Sequence, residues 1–366
     1  MTENADLLKR REELKLALSE ENTKTLIDVI LEGVTRPIKK LIGRNRTALA
    51  VYGALIVFLL TILIGVILVT LLGEFTSLQQ FVRHSDSWIL IIQLIGSTAS
   101  MIIANAFIHR IIMIFQESVL DIIETVDTMD DIEKWVTFAC NKKLALAAGV
   151  LSIPVGYLFV LNLSAITGSL YGVGLSVLVI LFSMQSGIFF GFSFTILFLT
   201  VRLRNYQLNL FSSDPSSSQV IRNFSGFMSH FVYLFAIYGA FITFANVTTG
   251  FLTSSIFWIT FPMFWSLIVL IFALSQYSLA QIIQRVKWKT LNETQTQIEK
   301  IRKEQVIPDK ESRETLNWLL DYHNKVKATR NSALNFEAGL NLFNSLLLPV
   351  LAFVLGNLDR VIAFFR

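Results

Sequence analysis

Residues 49–72 read LAVYGALIVFLLTILIGVILVTLL, a stretch that contains no Asp, Glu, Lys or Arg. Six stretches of this kind occur in the chain, and each approaches the about 20 apolar residues that a helix needs to cross a hydrocarbon core of about 30 Å. Since lipid offers no hydrogen bonds to backbone groups, the pattern predicts membrane-spanning helices. A seventh stretch, Ala338–Gly356, is weaker. The five stretches that resemble the first are 88–107, 144–162, 173–201, 226–246 and 255–274.

The composition of the chain agrees with this pattern. Hydrophobic residues make up 53% of the sequence and charged residues only 16%, and the mean hydropathy is +0.59. A chain this apolar buries its surplus in lipid rather than in one aqueous core. We therefore expect an all-α, polytopic transmembrane bundle of six spans with a probable seventh. No cleavable signal is expected in the polar first 47 residues, so the first span should act as an uncleaved anchor.

The basic residues predict the orientation of the bundle. Segments 1–47, 108–143, 202–225 and 276–335 hold 28 of the 31 Lys and Arg residues, and these segments alternate with nearly uncharged loops. Cytoplasmic loops carry such an excess, so the N-terminus is predicted to be cytoplasmic, in a plasma (inner) membrane. The same residues explain the net charge of +4. No nucleic-acid partner is expected, because aromatic residues do not alternate with them on a soluble face.

The chain divides into four predicted regions. Residues 1–47 form cytoplasmic amphipathic helices, Ala5–Glu20 and an interfacial helix at Thr25–Ile42 that bends at Pro37. Residues 48–275 form the six-span bundle with a helical cytoplasmic loop at 108–142. Residues 276–335 form a second helical cytoplasmic layer, and 336–366 the seventh span with a short C-terminus.

The acidic segment Gln116–Trp135 is predicted to be a cytoplasmic amphipathic helix. Its excess of carboxylates indicates a basic partner, and within the chain the cationic run Arg285–Lys303 is the predicted partner. A plain solvated helix face is the alternative.

Two kinds of residue are assigned to the lipid and to helix packing. The lipid bilayer is one expected partner, and its anionic headgroups should meet the basic residues near the span ends. The pairs Gly187/Gly191 and Gly96/Ser100 have the small-xxx-small spacing that allows helices to approach closely, within one subunit or between subunits. The predicted headgroup anchors are Lys39, Lys40, Arg44, Arg46, His109 and Arg110.

The last segment is the main candidate for a permeation path. Four polar residues repeat at helical spacing on an otherwise apolar helix, which suits either a pore-lining helix or a helix docked into the bundle with its amides bonded internally. These candidate pore-lining residues are Glu337, Asn341, Asn344 and Ser345.

Several activities are disfavoured by the sequence. The six spans hold no Asp, Glu, Lys or Arg, although proton-coupled pumps usually place such residues at depth. Nucleotide-binding and hydrolase motifs are absent. The single cysteine, Cys140, and four scattered histidines offer no metal-ligand spacing. We therefore expect no catalytic residue, no metal and no cofactor, and a protein that is not an enzyme.

The leading functional prediction is a channel-like permeation protein, gated from its cytoplasmic helices and assembled as a homo-oligomer. Its layout is similar in outline to that of insect-type chemoreceptor channels, although the short C-terminal signature of that family is absent. One alternative is a membrane-anchored signalling or adaptor subunit that binds a cytosolic protein partner. A second alternative is a solute facilitator.

Overall fold

The computed structural model describes residues 2–19, 22–37, 46–72, 85–158, 173–248, 255–304, 310–332 and Asn357. Within these ranges the regular elements are helical, apart from one isolated antiparallel bridge between Ile123 and Leu208. The ten α-helices of the described ranges are α1 (Thr2–Ala17), α2 (Leu26–Thr35), α3 (Arg46–Leu72), α4 (Ser85–Ile114), α5 (Val126–Ala139), α6 (Lys142–Leu151), α7 (Val173–Leu203), α8 (Gln219–Thr248), α9 (Ser255–Glu304) and α10 (Lys310–Ala328).

Within the part of the chain that the structure describes, four helical segments are long and apolar enough to cross a membrane. They lie on α4, α7, α8 and α9, at the predicted second, fourth, fifth and sixth spans. A fifth span is reached if α5 and α6, the latter continuing to Leu158, form one crossing that is bent by 53°. The four segments are Gln93–Ile122, Val179–Leu203, Gln219–Ala240 and Phe261–Lys303.

The prediction of six to seven spans therefore goes beyond what the structure supports. Its first span falls on α3, an apolar helix of 27 residues, within which the described side chains include the apolar stretch Val51–Ile64, too short by itself to count as a crossing. Its third falls on the bent pair α5–α6, because Asn141 caps α6 and separates it from α5. The seventh, Ala338–Gly356, lies outside the described residues. The coarser prediction is confirmed: the described residues form an all-helical protein with several helices apolar enough to lie in a membrane.

Helix α7 lies at the centre of the bundle and packs against α3, α4, α5, α6 and α9. Gly187 allows α7 to approach α6 closely. A Cβ atom added there would collide with Ser152 Oγ and with the Ala148 carbonyl oxygen of α6. Because backbone cannot move aside cheaply, only glycine fits at this crossing.

The chain leaves α4 through an irregular turn. Residues Phe115–Val119 form a π-helix, Leu120–Ile122 a 3₁₀ turn, and Ile123 is extended. The extended part pairs with the segment after α7, where the Asn209 amide donates to the Ile122 carbonyl at 2.7 Å. The prediction of one continuous helix over Gln116–Trp135 is thus wrong, because burial of Phe115, Val119 and Leu120 pulls the chain inward before α5 begins.

The N-terminal helices pack on this end of the bundle. Leu14 and Leu18 of α1, like Ile27 of α2, are almost fully buried in the same hydrophobic core as the ends of α4, α5, α7 and α8. Of the interfacial helix predicted over Thr25–Ile42, α2 covers Leu26–Thr35 and ends before Pro37, whereas residues 38–42 lie outside the described residues.

Helix α9 continues far past the length of a span. Its 50 residues extend about 75 Å at 1.5 Å per residue, more than twice the core thickness of a bilayer. The sequence prediction that a polar helix follows the sixth span is confirmed by α9, and the predicted restart near Glu311 is confirmed by α10. The two helices pack against each other.

Candidate functional site

A cluster of four polar side chains joins α2 to α4. The Asp28 carboxylate accepts a hydrogen bond from Asn105 Nδ2 at 2.9 Å through one oxygen. His109 Nε2 lies 2.8 Å from the other oxygen. The Thr25 hydroxyl and the Asn105 Oδ1 atom are 2.6 Å apart. Thr25 is fully buried and Asn105 is 4% exposed, so the cluster is a connected polar network at the edge of the core.

The start of α2 builds this cluster. Thr25 is the N-cap residue, and its hydroxyl accepts from the Asp28 amide at 3.2 Å. The Asp28 carboxylate reaches back to the Thr25 amide at 2.8 Å. This reciprocal capping box satisfies two backbone donors and fixes the rotamer of Asp28 toward α4.

The environment of Asp28 favours its charged form. Burial alone would raise the pKa of this carboxyl, but the hydrogen bond and charge of His109 act against it, joined by the bonds from Thr25 and Asn105. The balance lowers the pKa of Asp28 to about 2. A partly buried carboxylate held by several donors behaves in this way.

The acidic segment after α4 is bound mainly by the N-terminal helix. Arg10 binds Asp130 through two nitrogens at 2.7 and 2.9 Å, and it also binds Glu133. Lys15 binds Asp121 at 3.2 Å. A planar guanidinium shared by two carboxylates is a favourable geometry for an ion pair.

Two further pairs complete this charged junction. Arg202, at the end of α7, binds Asp131 at 2.6 Å, and the Tyr206 hydroxyl donates to the same carboxylate at 2.9 Å. Burial and the neighbouring Asp131 raise the pKa of Tyr206. The predicted partner, Arg285–Lys303, supplies the long contact of 3.6 Å between Lys289 and Glu124. The N-terminal helix was the partner that the sequence did not indicate.

A buried lysine joins α9 to the end of α10. Lys287 is 6% exposed, and its ammonium donates to the carbonyls of Lys327 and Thr329 at 2.8 and 2.6 Å and to Asn331 Oδ1 at 2.9 Å. Three acceptors match the three donors of an ammonium group. The carbonyls at a helix C-terminus also carry the negative end of the helix dipole, so the charge is stabilised without a carboxylate.

Within the spans, the neutral polar residues join helices. The hydroxyls of Ser97 and Thr98 on α4 donate to Gln185 Oε1 of α7 at 2.6 and 3.0 Å. Ser186 and Tyr238 are hydrogen-bonded at 2.8 Å between α7 and α8. Such hydrogen bonds position the helices. They also engage the polar side chains that would otherwise line a water-filled path.

Only some of the residues that the sequence grouped as sites lie within the described ranges. The four candidate pore-lining residues lie outside the described ranges, as do the headgroup anchors Lys39, Lys40 and Arg44. Arg46 begins α3. His109 faces Asp28, whereas Arg110 is exposed beside a cavity between α4 and α8.

The residues assigned to helix packing lie on two helices. Gly187 and Gly191 both face Ala148 of α6, within one chain. Ser100 is 6% exposed on α4, and Gly96 is half-buried one turn before it.

Sequence reasoning missed Asp28 and Lys287 as site residues. The Thr25-x-x-Asp28 spacing is a readable helix-start signal, yet nothing local indicates that the same carboxylate meets Asn105 and His109 almost 80 residues later. No group of three His, Cys, Asp or Glu residues that could hold a metal ion occurs within the described residues. Comparison with protein-family models, with curated proteins and with solved structures finds no match.

Proposed function

We propose that this membrane-embedded protein is a non-enzymatic, channel-like permeation protein, gated by the helical layer formed by α1, α2, α5 and α10. In this proposal the layer is cytoplasmic, several copies surround the path, and the last segment lines it. The observation that supports the proposal is the continuity of α9. One continuous helix runs from a candidate span to Lys287, which holds the end of α10 immediately before residues 333–366.

The physical basis is mechanical coupling. A long helix transmits a displacement along its length, and the Lys287 contacts tie that displacement to the chain entering the candidate pore-lining segment. Asn344 and Asn341 there would offer neutral hydrogen-bonding groups to a hydrated solute. Inside the bundle of one subunit, Gln185 Oε1 already accepts hydrogen bonds from Ser97 and Thr98. That interior is therefore poorly suited to bind a hydrated solute.

The adaptor alternative loses support from the charged junction. It relied on the acidic segment 116–135 and the layer 276–335 holding a cytosolic partner. In the acidic segment, Asp121, Asp130 and Asp131 already bind Lys15, Arg10 and Arg202. The facilitator alternative predicts saturable uptake without current, so the same assay separates it from a channel.

Reconstitution tests the proposal. Purified protein in liposomes and planar bilayers should conduct, and its mass in nanodiscs should be a multiple of 41.4 kDa. Asn344→Leu should change the single-channel conductance, while Asn292→Leu, on the polar part of α9, should not. Lys287→Met should change the open probability at unchanged conductance. A monomeric mass, an absence of flux, or an unchanged current in Asn344→Leu would each overturn it.

A further inference from the structure

A cavity of about 440 Å³ lies between α4 and α8, near the end of the bundle that carries the N-terminal helices. Its floor is apolar and aromatic. Phe107 and Phe227 meet edge to face with ring centroids 5.2 Å apart, and Phe227 is 6% exposed. Ile103, on the rim, is 42% exposed, so the cavity opens on the outer surface of the bundle.

The remaining lining is polar and basic. Arg110 from α4 and Arg222 from α8 face the cavity together with Asn223 and His230, and no acidic residue lines it. His230 Nδ1 lies 2.6 Å from the Gly226 carbonyl. Because a carbonyl only accepts, Nδ1 carries the hydrogen and Nε2 is left for a ligand.

The two arginines differ from Arg10 and Arg202, which lie at the same end of the protein. Arg10 and Arg202 bind carboxylates, whereas Arg110 and Arg222 are exposed and form no ion pair with any carboxylate of the described residues. Two unpaired guanidinium groups beside an apolar surface are complementary to an anion that carries a hydrophobic part.

The dimensions of the cavity select the kind of anion. Arg222 and His230 are eight residues apart on α8, which corresponds to about 12 Å along the helix. A free phosphate ion is too small to reach both. A phospholipid fits, with its phosphate at the arginines, its glycerol region toward His230 and an acyl chain along Phe107 and Phe227.

We infer that the groove between α4 and α8 is a binding site for one anionic phospholipid of the surrounding membrane, held by Arg110 and Arg222. This site does not depend on the proposed permeation function. It requires only that α4 and α8 lie in a bilayer, with the groove facing lipid at headgroup depth.

Gly226 provides a test that leaves every charge in place. It lines the cavity, and a Cβ added to it would have no atom within 4 Å. The side chain of Gly226→Leu therefore starts in open space and extends into the groove, and the substitution replaces a helical glycine by a better helix former. Arg110→Gln/Arg222→Gln removes the charges instead. Arg204→Gln is the matched control, since Arg204 is an exposed arginine at the end of α7 outside the groove.

The experiment measures lipid binding to the detergent-purified full chain by native mass spectrometry, with dioleoyl phosphatidylglycerol and dioleoyl phosphatidylcholine as probes. The wild type should retain one phosphatidylglycerol molecule and should prefer it over phosphatidylcholine by at least about tenfold. This is the ratio of affinities that one charge-assisted hydrogen bond provides. The arginine double variant and Gly226→Leu should each lose that preference, and Arg204→Gln should keep it. Thermal unfolding without added lipid verifies that each variant folds.

Three outcomes would overturn the inference. One is equal binding of the two lipids by the wild type. Another is a preference that survives in both the double variant and Gly226→Leu. The third is displacement of the lipid by inorganic phosphate at equal concentration, which would identify a simple anion site.

Discussion

His109 Nε2 lies 2.8 Å from Asp28 Oδ2, and this contact joins a capped N-terminal helix to a candidate membrane span 81 residues away in sequence. Both side chains are partly shielded, with 31% and 20% of their surfaces exposed. Hydrogen bonds to a carboxylate in such a setting are stronger than neutral ones. The docking of α2 therefore depends on the charge of Asp28.

Asp28→Asn should destabilise the protein at neutral pH by about 2 kcal/mol, the free energy equivalent to its lowered pKa. Because the pKa is lower in the folded protein, at about 2 against an ordinary 3.8, the stabilisation is present above pH 4 and is lost as the pH falls toward 2. Thermal unfolding in detergent at pH 7 and pH 3 measures this. The wild type should lose stability between the two, and the variant less.

Glu32→Gln is the matched control for that substitution. Glu32 lies on the same helix and pairs with Lys24 at 2.6 Å, but its side chain is 60% exposed. Exposed pairs contribute about 0–1 kcal/mol. Equal losses for Asp28→Asn and Glu32→Gln would contradict a special role for the buried cluster.

Arg10→Gln should release α1 from α5, because it leaves Asp130 and Glu133 facing each other without their shared cation. The expected loss is local, about 1–2 kcal/mol, and should appear as faster amide hydrogen exchange over residues 2–19. Lys9→Gln removes a neighbouring charge that is 77% exposed and should leave exchange unchanged. Identical exchange in Arg10→Gln and the wild type would show that the ion pairs of Arg10 do not hold α1 in place.

The spans could be predicted where hydropathy alone decides. The predicted spans 88–107, 173–201, 226–246 and 255–274 overlap the four candidate segments, because a run of apolar residues satisfies its own backbone as a helix in lipid. The start of α6 lies close to the predicted start of the third span at Leu144. The Asn141 side chain accepts from the amides of Lys143 and Leu144 and so begins this new helix.

The charged junction could be predicted only in part. The unbalanced acidity of 116–135 indicated an intrachain partner, but sequence distance gives no means of choosing between the basic residues of 1–47 and those of 276–335. Hydrophobic docking decides it. Leu14 and Leu18 are buried against the same core as Ile132 and Trp135, which brings Arg10 and Lys15 to the carboxylates.

Gly187→Ala should destabilise the bundle by about 1–3 kcal/mol, the usual cost of overpacking, because its methyl group meets the Ala148 carbonyl and Ser152 of α6. Gly33→Ala is the opposite case. A Cβ at Gly33 has no atom within 4 Å, so this substitution should be neutral or should stabilise α2 by up to about 1 kcal/mol. Apparent Tm in one detergent compares the two, and a shift of the same sign in both would refute the close approach of α6 and α7.

Lys287→Met should free the end of α10 while leaving α9 intact. The substitution removes three hydrogen bonds to Lys327, Thr329 and Asn331 and leaves their oxygens without a donor, a loss of about 2–4 kcal/mol for that contact. Amide exchange over 310–332 should rise, whereas exchange over the span of α9 should not. Lys289→Met is the control, since Lys289 is 60% exposed and makes only the 3.6 Å contact with Glu124. If residues 310–332 are equally protected from exchange in both variants, the apolar contact between α9 and α10 is enough to hold α10. Lys287 then cannot couple the helical layer to the last segment.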